Sequence, residues 1–196
     1  MKSILLVAAA ALVGFLSTRA LRSTSADIPR VPDLPIVGQM VHVDMVELGF
    51  DEIVDVSTDI VHAEIGPIES VDVGPDGLVR TRYRIYVFDW VKASDENYDS
   101  IQYLEVGGGQ FTLEGQTVES VVAGAPKFEN GQECILFLWR ESNGAEDAFG
   151  LVGLSQGAYP ILVNPETQAA QPYGAHAADT ESVADFKARI QAALVP

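Results

Sequence analysis

The sequence predicts a mainly β domain, a small antiparallel barrel or sandwich with a short N-terminal helix and a C-terminal amphipathic helix at its margins. Three observations carry that expectation. Short runs rich in Val, Ile, Phe and Tyr recur between Gly, Pro and Asn turn signals; one of them alternates with a period of two over a dozen residues; and helical spacing is confined to the two ends of the region.

In chain order, Val41, Val43 and Met45 alternate with His42 and Asp44, which predicts a short strand. Phe50, Ile53 and Val54 follow helical spacing among Asp51, Glu52 and Asp55, so a short helix comes next. Residues 59–65 then place Val61, Ala63 and Ile65 on one strand face. Gly74-Pro75-Asp76-Gly77 predicts a hairpin turn, because Pro fixes one φ and Gly supplies a positive one. Its second arm is the clearest strand: Arg80, Arg82, Arg84, Tyr86, Phe88 and Trp90 on one face, and Thr81, Tyr83, Ile85, Val87, Asp89 and Val91 on the other. Further strands are predicted at 101–106, 118–122, 133–139, 149–154 and 159–163, punctuated by Gly107-Gly108-Gly109, Asn130-Gly131 and Ser142-Asn143-Gly144. Val183, Phe186, Ile190 and Leu194 form an apolar stripe that predicts a helix over 180–195, with Asp179 or Thr180 as N-cap.

The beginning of the chain reads as a secretory signal. Lys2 precedes an apolar run over residues 4–16 that is too short for the roughly 20 residues a spanning helix needs, and the polar segment Ser17-Thr18-Arg19 follows. Residues 1–26 are therefore expected to be a signal peptide cleaved after 20 or 26, with an uncleaved anchor as the other reading. Pro29, Pro32 and Pro35 make 27–40 a stiff linker, and 41–196 is expected to be a single domain. Cleavage after residue 20 removes Lys2 and Arg19 and no acid, taking the net charge from −16 to −18. Such a field disfavours nucleic acid and anionic lipid, whose phosphates need Lys or Arg. The single cysteine, Cys134, sits in an apolar run and reads as a small hydrophobe without chemistry.

Asp59-Ile60-Val61, the strand over 81–92, Gly107-Gly108, Val121-x-x-Gly124-x-Pro126-x-Phe128-x-x-Gly131, Leu136-Phe137-Leu138, Val152-Gly153-Leu154-x-Gln156-Gly157 and the last helix form a pattern. That pattern resembles a family of uncharacterised secreted bacterial β-barrel proteins. The family in turn is similar to the OB-type barrels of netrin-like domains and tissue inhibitors of metalloproteinases, which implies an OB-like barrel here. The inhibitory mechanism of that group needs an N-terminal cysteine and disulfides, and neither is present.

Several constellations invite chemistry. Gly153-Leu154-Ser155-Gln156-Gly157 spells a nucleophile elbow, with Glu166 and His176 following in hydrolase order, but the chemistry needs a turn leading into a helix, and Pro160 opposes one. His42-x-Asp44 and His62-x-Glu64 each align an imidazole with a carboxylate and together offer four zinc ligands; alternation on a solvated strand explains them equally well. Asp95-x-Asn97-x-Asp99 copies half a calcium loop without its glycine and terminal glutamate. Gly107 to Gly109 lack the Lys-Ser or Lys-Thr of a phosphate loop and read as a bulge or tight bend.

The stripe of Arg80, Arg82 and Arg84 continued by Tyr86 makes a surface suited to a carboxylate, a sulfated sugar or an acidic peptide; pairing with the chain's own acids is the alternative. The sequence thus predicts an exported, non-enzymatic binding or structural module of the envelope or extracellular space. Its partner would be protein or glycan, bound through Arg80, Arg82, Arg84 and Tyr86, with no cofactor. The competing expectation is a small secreted hydrolase using Ser155 or the His and carboxylate pairs.

Overall fold

The computed structural model describes residues 39–41, 46–74, 77–113, 115–140, 148–163, 169–178 and 180–195. The segment read as a signal, nearly all of the linker, and His42, Asp44 and Glu166 lie outside the described residues.

The elements run β1 (Gln39–Val41), α1 (Phe50–Val56), β2 (Asp59–Val73), β3 (Val79–Lys92), β4 (Ile101–Gly107), β5 (Gly109–Leu113), β6 (Gln116–Val122), β7 (Glu133–Trp139), β8 (Ala148–Leu151), a 3-10 turn (Leu154–Gly157), β9 (Ala158–Val163), β10 (Ala170–Pro172) and α2 (Val183–Ala193). The protein is mainly β with short flanking helices, and among the described residues its strands form two mixed sheets. One has the order β1-β6-β5; the other has the order β10-β9-β7-β2-β3-β4-β8, with β8 also meeting β7 over two residue pairs.

The single antiparallel barrel of OB type expected from the sequence is corrected by this topology. The strands are divided between two sheets, β1–β6 and β4–β8 pair in parallel, and the larger sheet continues past β7 into β9 and β10. The break comes at the glycines. Gly108 and Gly109 take φ of +93° and +144°, and a side chain on Gly109 would collide with Thr81 and Val71. Only glycine lets the chain leave β4 and begin β5 this close to β2 and β3. The Thr81 hydroxyl fixes the bend by donating to the Gly108 carbonyl at 2.6 Å.

Two apolar clusters use alternate residues of the same strands. Val61, Ala63, Ile65, Ile85, Leu104, Leu136, Leu138 and Phe149 form one; Ile60, Ile135, Phe137 and Tyr159 join Ile53, Phe186 and Ile190 of the helices in the other. β7 feeds both, which is why it reads as an unbroken apolar run. Each fully buried large side chain contributes about 1.5–3 kcal/mol.

The helices are set by local chemistry. In α1 the Glu52 carboxylate accepts the Gly49 amide at 2.9 Å. α2 starts later than expected because Ser182 is its cap: the Ser182 hydroxyl oxygen accepts the Asp185 amide at 3.1 Å, and Arg189 stacks 4.0 Å from the Phe50 ring.

One strand departs from the expected alternation. Between Ala63↔Val87 and His62↔Asp89, and again between Val61↔Trp90 and Ile60↔Lys92, β3 carries one extra residue, Phe88 and then Val91. These bulges return Trp90 to the cluster of Ile85 and Phe149, while Asp89 pairs with His62 on the helix-covered side. The acid that seemed to sit on an apolar face was the mark of the first bulge.

Candidate functional site

The sheet face of β3 and β4 that the helices leave uncovered carries the arginine stripe. Register sets Arg82 opposite Glu105, Arg84 opposite Tyr103 and Tyr86 opposite Ile101. Arg84 Nη2 lies 2.5 Å from Glu69 Oε1, and Arg82 Nε lies 3.9 Å from Glu105 Oε1 with its guanidinium 4.8 Å from the centre of the Tyr103 ring. A hydrogen bond to Tyr86 and then the Glu69 charge push the Arg84 pKa up. Arg80 pairs in register with Asp72 and Gly107 at the end of the stripe. The chain's own carboxylates thus match Arg82 and Arg84. The Nε–H groups of both are buried without a hydrogen-bond acceptor.

Beside these pairs the face is apolar. Tyr86 packs over Gly66, Phe88 is 56 % exposed and Ile101 47 %. The Phe88 ring meets the His62 imidazole edge to face, with centroids 5.3 Å apart.

His62 itself is fully engaged. Lys187 Nζ donates to its Nδ1 at 2.8 Å, which leaves Nε2 to carry the proton donated to Glu133 Oε1 at 2.6 Å; Lys187 also donates to Asp89 at 3.1 Å. The Nδ1 contact therefore clasps α2 to the sheet, and the Nε2 contact ties β2 to its neighbour β7. Glu64 pairs in register with Glu133. Among the described residues no group of three or more His, Cys, Asp or Glu side chains is placed to hold a metal ion. The half calcium loop folds on itself, with the Asp95 carboxylate accepting the backbone and side-chain amides of Asn97.

Ser155 lies exposed on the 3-10 turn, which runs directly into β9, antiparallel to β7. No helix follows, so the strand, turn and helix of a nucleophile elbow are not formed; positive φ falls on Gly153 and Leu154, at +59° and +54°, and not on Ser155. His176 Nε2 donates to the Leu48 carbonyl at 2.9 Å, and the Gln156 amide brackets the same segment, accepting from Leu48 N–H at 2.8 Å and donating to the Val46 carbonyl at 3.0 Å. The turn and the histidine thus hold residues 46–48 against the sheet. Cys134 is fully buried, and burial together with the Glu133 charge pushes its pKa from 9.0 to about 12, which keeps the thiol inert.

The sequence reading missed a cleft of about 510 Å³ on the opposite side of β3, where the β5–β6 hairpin meets β2 and β3. Ile68, Val71, Tyr83, Val121 and Phe128 line it. Tyr83 stands edge to face with Phe128, and its phenol, hydrogen-bonded to the Phe128 backbone, has its pKa raised by burial. Ser120, also in the lining, is 3 % exposed and its hydroxyl has no partner. Its signal in the sequence was the glycine run, which makes the room.

The comparisons with known proteins correct the resemblance to secreted bacterial barrels and to netrin-like and metalloproteinase-inhibitor folds: no family model, no curated protein and no solved structure matches this chain.

Proposed function

We propose that the chain is an exported, non-enzymatic binding module whose uncovered β3–β4 face engages an uncharged glycan of the envelope or extracellular space. The observation that supports this reading is the row of Tyr86, Phe88, Ile101 and Tyr103 set beside the Arg82–Glu105 and Arg84–Glu69 pairs. Aromatic faces pack on the C–H faces of a sugar ring, and guanidinium and carboxylate groups give directional donors and acceptors to its hydroxyls. Because those charges cancel locally and the chain as a whole carries −16, an uncharged sugar suits the face better than a sulfated one or an acidic peptide.

Export rests on the expectation for residues 1–26. Among the described residues no helix is long and apolar enough to cross a membrane. The same reading takes the two sheets as a sandwich-like pair, with β5 against β2 and β3.

The test is capture of the mature chain on insoluble neutral polysaccharides and envelope extracts. Phe88→Ala and Tyr86→Ala are each expected to weaken capture about tenfold, the worth of one aromatic contact. Equal capture of wild type and both variants, or capture by polyanionic sugars alone, overturns the proposal.

A further inference from the structure

We infer that Asn130-Gly131, in the turn that leads into β7, is a latent site of covalent modification: the Asn130 side-chain amide closes on the Gly131 nitrogen to a succinimide, water opens it to aspartate or isoaspartate, and a hydrogen bond of the fold holds the reaction back. No residue of the proposed glycan face takes part.

The dipeptide favours this chemistry. Asn130 is exposed, so water reaches its side-chain amide. Gly131 has no side chain to crowd its own nitrogen, and the place a Cβ would take is open, with nothing among the described residues within 4 Å of it. In the reaction the Gly131 nitrogen gives up its proton and attacks Cγ of Asn130. The new N–Cγ bond replaces the Cγ–Nδ2 bond, and ammonia leaves with the proton. Water then adds to one of the ring carbonyls. Opening at Cγ leaves aspartate in the ordinary main chain; opening at the Asn130 backbone carbonyl leaves isoaspartate, whose main chain runs through Cβ and Cγ and is one atom longer. Nothing is oxidised or reduced, and water is the co-reactant.

The fold withholds the attacking atom. Gly131 N–H donates to the Ile65 carbonyl at 2.7 Å, so the proton that must leave is already engaged with β2. The turn is closed around that bond: Gln132 N–H donates to the Glu129 carbonyl at 3.1 Å, the Gln132 side-chain carbonyl accepts the Glu129 amide at 3.0 Å, and Ile65 N–H donates to the Gln132 carbonyl at 2.8 Å. Attack therefore waits on local opening of the turn. Isoaspartate then opposes its closing. An extra main-chain atom at position 130 displaces Gly131 and Gln132 relative to Ile65, and from these residues β7 enters its register with β2, Glu133↔Glu64 and Cys134↔Ala63. Either product also adds a negative charge between Glu129 and Glu133, in a chain that already carries −16.

The test is peptide mapping by mass spectrometry of the mature chain, folded and guanidinium-unfolded, during storage at mildly alkaline pH. Asn143-Gly144, the same dipeptide outside the described residues, is the chemical control in the unfolded chain. Asn130 is expected to convert at least about tenfold faster in the unfolded chain than in the folded one, the factor given by about 1.4 kcal/mol of opening free energy. Gly131→Ala, read in the unfolded chain so that its effect on folding does not enter, is expected to slow conversion. The isoaspartyl form, separated and refolded, is expected to have a lower urea midpoint than wild type, while Asn130→Asp, which carries the charge without the extra atom, keeps the wild-type midpoint. An unfolded chain that keeps Asn130 while Asn143 converts, or one in which Gly131→Ala converts as fast as wild type, overturns the site. Equal rates in the folded and unfolded chains overturn the latch, and an isoaspartyl form as stable as Asn130→Asp overturns the consequence for β7.

Discussion

The two faces of β3 solve the same problem in opposite ways. On the uncovered face, Arg82 and Arg84 meet Glu105 and Glu69, and the exposed remainder, Phe88 and Ile101, is apolar. On the other, Tyr83 and Thr81 turn towards a cleft beside which a buried Ser120 hydroxyl goes unmatched. Matching cancels the long-range field of the arginines while keeping their direction, so under the proposed function that face would discriminate by shape. The unmatched hydroxyl does the reverse: it has little field and a definite energetic cost.

The largest effect that sharpens this contrast comes from the helix-covered part of the sheet, next to the uncovered face. Phe186 of α2 is fully buried, with its ring 4.9 Å from Tyr159 and 5.9 Å from Phe50. Phe186→Ala is expected to cost about 3–5 kcal/mol, read from the urea midpoint. A loss below about 1 kcal/mol would mean that α2 does not cover this side of the sheet in solution.

Alkaline pH gives the next largest effect, because β7 serves both clusters. Burial raises the pKa of Cys134 from 9.0 to about 12 and raises that of Tyr159 as well. The folded chain keeps these protons where the unfolded chain releases them. Their stabilisation is therefore fully present below about pH 9 and is lost as pH rises towards the folded values, by up to about 1.4 kcal/mol per pH unit for each group. Denaturant midpoints between pH 8 and 11 should fall along that slope, and Cys134→Ala should make it shallower. A slope that Cys134→Ala leaves unchanged removes the thiol from the account.

Polar truncation on the two faces of β3 should change stability in opposite directions. Ser120→Ala removes a desolvated hydroxyl that has no partner and is expected to stabilise the unliganded chain by about 1 kcal/mol. Glu69→Gln leaves Arg84 unmatched at a partly exposed site and is expected to destabilise by about 0.5 kcal/mol. Thermal melts decide the signs, and two changes of the same sign erase the distinction between the faces.

What could be read from the sequence follows the reach of each cause. The hairpin at Gly74 to Gly77, the apolar run of β7 and the stripe of α2 depend on neighbours within a few residues, and all three appear as expected. β2 runs to Val73, well past the predicted end at 65, because irregular pairing at Gly66 and Pro67 carries it across a break in alternation. β10 has three residues and little pattern of its own; β9 creates it by pairing. The separation into two sheets was hidden because the glycine run shows only that the chain bends, and the direction of the bend is fixed by Val71, Thr81 and Ser120. Gln156 looked like part of a catalytic motif because its partners, Val46 and Leu48, lie more than a hundred residues away. The candidate glycan face was half legible: the arginine stripe was plain, but Glu69, Ile101 and Tyr103 reach it only through cross-strand register.

The smallest expected change in stability carries the sharpest functional contrast. Phe88 is an extra residue in the ladder, more than half exposed, and touches the His62 ring by an edge. Phe88→Ala therefore deletes little buried surface and is expected to change stability by less than about 0.5 kcal/mol, although the same substitution at Phe186 costs several. The bulge itself is held by the pairing of His62 with Asp89 and by the Lys187 clasp between them, and none of these needs the ring. A folded, equally stable Phe88→Ala chain that loses polysaccharide capture would make the ring a recognition element. A variant that melts several degrees lower would instead make Phe88 a structural cover for the clasp, and the uncovered face would then have no more claim to a ligand than the rest of the sheet.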